Sequence, residues 1–133
     1  SASKEALTFT YDTILSLDTS FNGRDLLTTK IRSGNIGNAF SSHAALETAY
    51  DSSNALNVTR SYYQFPIGDD FTATLGALVR QDDMLGVWPS SYPSDSILDV
   101  LTYAGANAAY SLAEGQGVGI TYAKMNFIVN LLI

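Results

Sequence analysis

The sequence predicts an all-β protein whose strands run antiparallel, and three observations predict it. Apolar and polar residues alternate with a period of two over several runs. Turn-forming pairs, Asn22-Gly23 and Gly68-Asp69, separate those runs. The composition suits strands: 8 Tyr, 11% aromatic residues and only 15% charged ones.

The elements follow in chain order. Residues 6–17 carry Leu7, Phe9, Tyr11, Leu15 and Leu17 on one parity. Thr8, Thr10, Asp12 and Ser16 fall on the other, with Ile14 as the exception, so a strand with one greasy and one wet face is expected. Residues 25–33 form a second run, in which Leu27, Thr29 and Ile31 oppose Leu26, Thr28, Lys30 and Arg32. Residues 33–42, rich in Gly, Asn and Ser, read as a loop. Residues 44–51 read as a short strand, although their Ala, Leu and Glu also favour helix.

Residues 56–65 form the next strand. Pro66 and Gly68-Asp69 end it, because proline cannot donate to a central ladder. Residues 71–81 give the cleanest alternation, Phe71, Ala73, Leu75, Ala77 and Val79 against Thr72, Thr74, Gly76 and Arg80. Together 56–81 read as a hairpin. The pattern then breaks over 82–110, through Asp82-Asp83, Trp88-Pro89 and Tyr92-Pro93. A short helix is expected over 95–103, capped by Ser94 or Asp95 and ended by Gly105. An excursion this long is often functional. Residues 117–127 resume a strand, and 127–133 form a final apolar run.

A chain of 133 residues is sized for one domain. The absence of cysteine excludes a disulfide scaffold and thiolate metal sites. A formal charge of −6, from 13 acids against 7 bases, argues against a nucleic-acid binder. No basic stretch leads into an apolar core and a cleavage site, so no signal peptide is read. No apolar window of about 18 residues is present, which excludes a transmembrane helix. A membrane β-barrel stays open, since its spans are only about 10 alternating residues.

Catalytic chemistry is not expected. His43 stands alone, without the spacing of a metal site. Asp82-Asp83 and Asp69-Asp70 read as loop and turn acids, because neighbours on a strand point to opposite faces. Asn57-Val58-Thr59 matches a glycosylation sequon inside a strand and is taken as chance. No cofactor and no metal are expected. The informative feature is a set of cations, Lys30, Arg32, Arg60 and Arg80, all read as even positions inside strands. A cation facing lipid near the bilayer midplane costs about 2–4 kcal/mol, so these residues face water or a buried partner. They would line the lumen of a pore, or form the solvent face of a soluble sandwich. The sandwich would be a carbohydrate- or protein-binding module with Trp88 and Tyr92 as its platform. Periodicity alone leaves both open.

The stretch Leu15-Ser16-Leu17-Asp18-Thr19-Ser20-Phe21-Asn22-Gly23-Arg24-Asp25-Leu26-Leu27, followed by Arg32-Ser33-Gly34-Asn35, resembles a signature of cyanobacterial outer-membrane porins. Tyr63-Gln64-Phe65-Pro66-Ile67-Gly68-Asp69 and Arg80-Gln81-Asp82-Asp83-Met84-Leu85 are similar too, as are Val87-Trp88-Pro89, Tyr92-Pro93, Leu98-Asp99 and Thr102-Tyr103-Ala104-Gly105-Ala106. The likeness covers roughly residues 7–122. It implies an antiparallel transmembrane β-barrel of the carbohydrate-selective or iron-uptake porin type, usually a homotrimer in outer-membrane lipid. Such a pore passes inorganic ions and small hydrophilic solutes such as sugars. Family members also carry an S-layer homology domain before the barrel that holds cell-wall polysaccharide, and these residues contain none. Residues 1–133 would then be the N-terminal part of a barrel domain, with about six or seven strands visible where the smallest single-chain barrels have about 8. Residues 82–110 would be a loop folded inward to narrow the pore. That would set Asp82, Asp83, Asp95 and Asp99 opposite the basic wall.

Overall fold

The computed structural model describes residues 9–37, 46, 48–88, 90–105, 114–124 and 127–133. One antiparallel sheet dominates it, with β1 (Asp12–Thr19), β2 (Leu26–Gly34), β3 (Asn57–Ile67), β4 (Phe71–Val79), β5 (Gly115–Lys124) and β6 (Phe127–Leu132). The strands lie side by side in chain order, so the sheet is an up-and-down meander. β1 and β6 are its edges and do not pair with each other, so the sheet is open rather than closed into a barrel. A four-residue helix α1 (Gln81–Met84) and a 3-10 helix (Asp99–Gly105) lie between β4 and β5. No helix among the described residues is long and apolar enough to cross a membrane. The first strand starts at Asp12 rather than earlier, the expected helix over 95–103 is a 3-10 helix set later, the strand expected over 117–127 is β5, Gly115–Lys124, and the apolar run 127–133 carries β6. His43, Pro89 and residues 44, 45 and 47 lie outside the described residues; the rest of the strand expected over 44–51 forms no strand, only isolated bridges at Leu46 and Asp51.

The β1–β2 turn shows why its sequence is specific. Asp25, only 4% exposed, accepts from the Ser20 hydroxyl and from the Phe21 and Asn22 N–H groups. Those donors hold the chain in a tight reversal, and Gly23 supplies the left-handed residue with φ of 78°. The Asp-Thr-Ser-Phe-Asn-Gly-Arg-Asp segment is therefore a turn organised by one carboxylate. The β3–β4 turn is tighter, with Gly68 at φ of 68°.

Register decides what each face carries. Ser16 lies opposite Lys30, Lys30 opposite Arg60, Tyr62 opposite Gly76 and Thr72 opposite Thr121. These residues share the polar face, since directly paired residues point the same way. On the other face Leu15 meets Ile31, Tyr63 meets Leu75, Leu75 meets Val118, and Ile120 meets Leu131. Two bulges adjust the phase. One in β3, opposite Lys30 and Ile31, turns Val58 to the apolar side beside Ile31. The other, in β4 after Gly76, reverses the expected parity of Val79, which lies buried on the polar side opposite Gly115.

The apolar face is bare in five of the six strands, and half-buried at Leu27 and Ile31 of β2. Leu15, Leu17, Val58, Ile67, Phe71, Leu75, Val118, Ile120, Val129 and Leu131 are all exposed. Part of the polar face instead lies under the described part of the β4–β5 connection, while Ile14, Ser16 and Asp18 of β1 stay exposed. The few buried apolar side chains include Val79, Met84 and Tyr103, all on or beneath that connection.

Candidate functional site

The β4–β5 connection is held against the polar face by small residues. Gly76, Gly117 and Gly119 share that face, and a Cβ on Gly117 would come within 2.9 Å of Val79 and 3.0 Å of Met84 Sδ. Bare backbone there lets Val79 and the Met84 side chain of α1 lie flat on the sheet. Further along, the Gly86 N–H donates to Asn130 Oδ1 at 3.1 Å, and Thr121 Oγ1 donates to the same oxygen at 2.8 Å. The connection thus crosses β5 and reaches β6. Beyond it, the Trp88 ring packs edge-on against Tyr103 at 5.7 Å, and its indole N–H donates to the Tyr92 carbonyl. Trp88 is therefore engaged inside the connection, while Tyr92 is 71% exposed, so the two do not form one flat aromatic platform.

The charged groups meet beside α1, which packs on β4 and β5 and reaches Arg60 of β3 through Asp83. Arg60, 7% exposed, places Nε 2.7 Å from Asp83 and a terminal nitrogen 2.7 Å from Glu114. Arg80 reaches the same Glu114 oxygen at 3.0 Å. Glu114 therefore bridges two arginines. Partial burial works to raise its carboxyl, but hydrogen bonds and charge from Arg60 and Arg80 prevail and hold it below the usual range. Arg32 forms a two-point ion pair with Asp12, and its guanidinium lies 4.6 Å from the Tyr50 ring centre.

Arg80 corrects an expectation. It lies one residue past β4 and occupies the N-cap of α1, its N–H donating to Asp83 Oδ2 at 3.1 Å. The β4 bulge uses up one residue of alternation, so Arg80 enters the cluster from the helix start and not from a strand face. Asp82 and Asp83 are likewise helical, within one turn, and both face the cluster. Strand geometry would have sent them to opposite sides. Burial, and then the Asp83 charge, push the Asp82 carboxyl up.

These groups enclose a cleft of about 250 Å³ between wall and connection. Lys30, Arg32, Arg60 and Arg80 line it together with Asp82, Asp83, Asp95 and Glu114. The structure thus brings together seven of the eight residues singled out from the sequence; the Asp99 side chain lies outside the described residues. Asp69 and Asp70 lie elsewhere, in the β3–β4 turn, against Arg24 and Lys124. Glu114 and Asp12 were not foreseen. Their signal was indirect: a wall with four cations needs counter-charges, and both acids flank the strand ends beside it. Among the described residues no cluster of His, Cys, Asp or Glu has metal-binding geometry. The cleft can hold small ions in a balanced field, with bases on the wall and acids mostly on the connection.

Neither a family model, nor a curated protein, nor a solved structure matches the chain. The porin likeness rests on its motifs alone.

Proposed function

We propose that the chain forms part of the wall of an outer-membrane porin, a passive channel for inorganic ions and small hydrophilic solutes. One observation carries this reading: the sheet is inverted relative to a water-soluble one. Its apolar face carries exposed hydrophobic side chains on five of the six strands, those of β2 being half-buried, while the charged cleft on its other face is covered by the chain's own connection. A soluble sheet buries its apolar side and wets the other. Lipid contact explains the first face and an aqueous lumen the second.

Two further features support it. The turns at one end of the sheet are short, at 20–25 and 68–70, whereas β2 and β3, and β4 and β5, are joined at the other end by long stretches of chain. Bacterial barrels show this asymmetry, with short turns on the periplasmic side. Aromatics also gather at the short-turn end. Phe21 packs near Tyr63, Tyr63 stacks on Phe65, Phe71 meets Tyr122, and Phe127 opens β6. That arrangement matches an interfacial aromatic girdle. The described part of the β4–β5 connection, lying on the polar face, would narrow the lumen.

An open sheet edge is not tolerated in hydrocarbon. The pore therefore needs further strands paired to β1 and β6, and the porin likeness implies a trimer. Purification and planar-bilayer recording test the reading. The protein should require detergent for solubility and should give stepwise channel currents. A detergent-free soluble monomer without channel activity would favour a β-sandwich whose second layer covers the apolar face.

A further inference from the structure

Resting on the channel reading, we infer that Lys30 is the specificity-determining cation of the cleft, the group that meets a permeating small anion, and that the arginines hold the connection in place. The argument is a count of partners. Arg32 is committed to Asp12, Arg60 to Asp83 and Glu114, and Arg80 to Glu114. Lys30 is the cleft cation with no carboxylate partner among the described residues.

Register explains why. Across β1 the residue opposite Lys30 is Ser16, and across β3 it is Arg60. On the same face of β1, Asp18 lies one pair away from Ser16 and Asp12 two pairs away on the other side. Asp12 is taken by Arg32, and Asp18 accepts from the Thr28 hydroxyl. Asp18 keeps its charge on the neighbouring pair, yet among the described residues no carboxylate is in ion-pair contact with the ammonium. Arg60, its like-charged neighbour, is drawn away by Asp83 and Glu114 from the connection. The ammonium is left facing the cleft on a flexible stem, a compact and strongly hydrated charge. A passing chloride, nitrate or carboxylate meets an open cation there, whereas at each arginine it must displace a carboxylate already hydrogen-bonded. On the sequence alone the four cations look alike; the pairing separates one from three.

Reversal potentials of the full polypeptide in planar bilayers under a KCl gradient test the assignment. Lys30→Gln should lower the chloride-to-potassium permeability ratio by about fivefold, the Boltzmann factor for unit charges about 4 Å apart in water. Lys30→Arg should restore it. The combined change Lys124→Gln and Asp70→Asn removes one charge of each sign from an ion pair outside the cleft. It should leave the ratio in place. A ratio unmoved by Lys30→Gln, or moved equally by the distant pair, overturns the assignment. A wild-type protein that forms no channel overturns instead the reading on which it rests.

Discussion

Tyr63 donates its hydroxyl hydrogen to Asp25 Oδ2 at 2.5 Å, tying β3 to the turn between β1 and β2 across 38 positions of sequence. The turn's own donors occupy the other oxygen. One carboxylate thus closes a local reversal and fixes a non-local strand pairing.

Asp25 should accordingly govern acid stability. The Tyr63 hydroxyl, then the Asn22 N–H and the remaining donors, hold its carboxyl well below the usual range. A depressed carboxylate adds stability that is fully present above its unfolded pKa of about 3.9 and is lost as pH falls through its lower folded value. Thermal melts followed by circular dichroism should show stability falling below about pH 4. Asp25→Asn should lower the melting temperature at neutral pH and flatten that acid limb. An unchanged acid limb in the variant would remove Asp25 from the role.

Gly117 should control the docking of the connection. A Cβ there meets Val79 at 2.9 Å and Met84 at 3.0 Å, and Leu would add far more bulk. Overpacking of this kind costs about 1–3 kcal/mol. Gly117→Leu should raise proteolytic cleavage within residues 81–105 while leaving the β signal in circular dichroism intact. Under the channel reading it should also raise single-channel conductance. Cleavage at the wild-type rate would show that the glycine is not what admits Met84.

Leu75 and Val118 should report lipid. They are paired across β4 and β5 on the apolar face, at 46% and 44% exposure. Nitroxide labels at Leu75→Cys and Val118→Cys should be quenched by oxygen far more than by a water-soluble nickel complex. Leu75→Arg should cost about 2–4 kcal/mol if the site lies near the bilayer midplane. Labels shielded from both quenchers would indicate a second protein layer.

Under the channel reading, Asp82 should give the pore a pH response above the ordinary carboxylate range. Its carboxyl is pushed up by burial and by Asp83, so on acidification it takes a proton before an ordinary aspartate would. The cleft then loses a negative charge, and preference should move toward anions. Asp82→Asn should abolish this step in reversal-potential titrations and leave the preference fixed at its low-pH value.

Much of this was legible in the amino-acid order. Period-two alternation fixes which side of each strand is wet, because side chains on a strand leave alternately to either face. It therefore located Lys30, Arg32 and Arg60 on one surface, and Asn22-Gly23 and Gly68 marked two turns through their backbone freedom. Where alternation is interrupted, local order fails. The β4 bulge inverted Val79 and delivered Arg80 to the cluster from a helix cap. The bulge satisfies a pairing with β3 and β5, which no window around Val79 contains. Glu114 was equally silent, since its role is set by arginines 54 and 34 positions away. By itself, then, the sequence determined a two-faced antiparallel sheet and the chemical character of each face. Only the tertiary structure decided that the connection lies over the charged face, which acids neutralise which bases, and that Lys30 is left facing the cleft. Those outcomes depend on register and distance between remote segments.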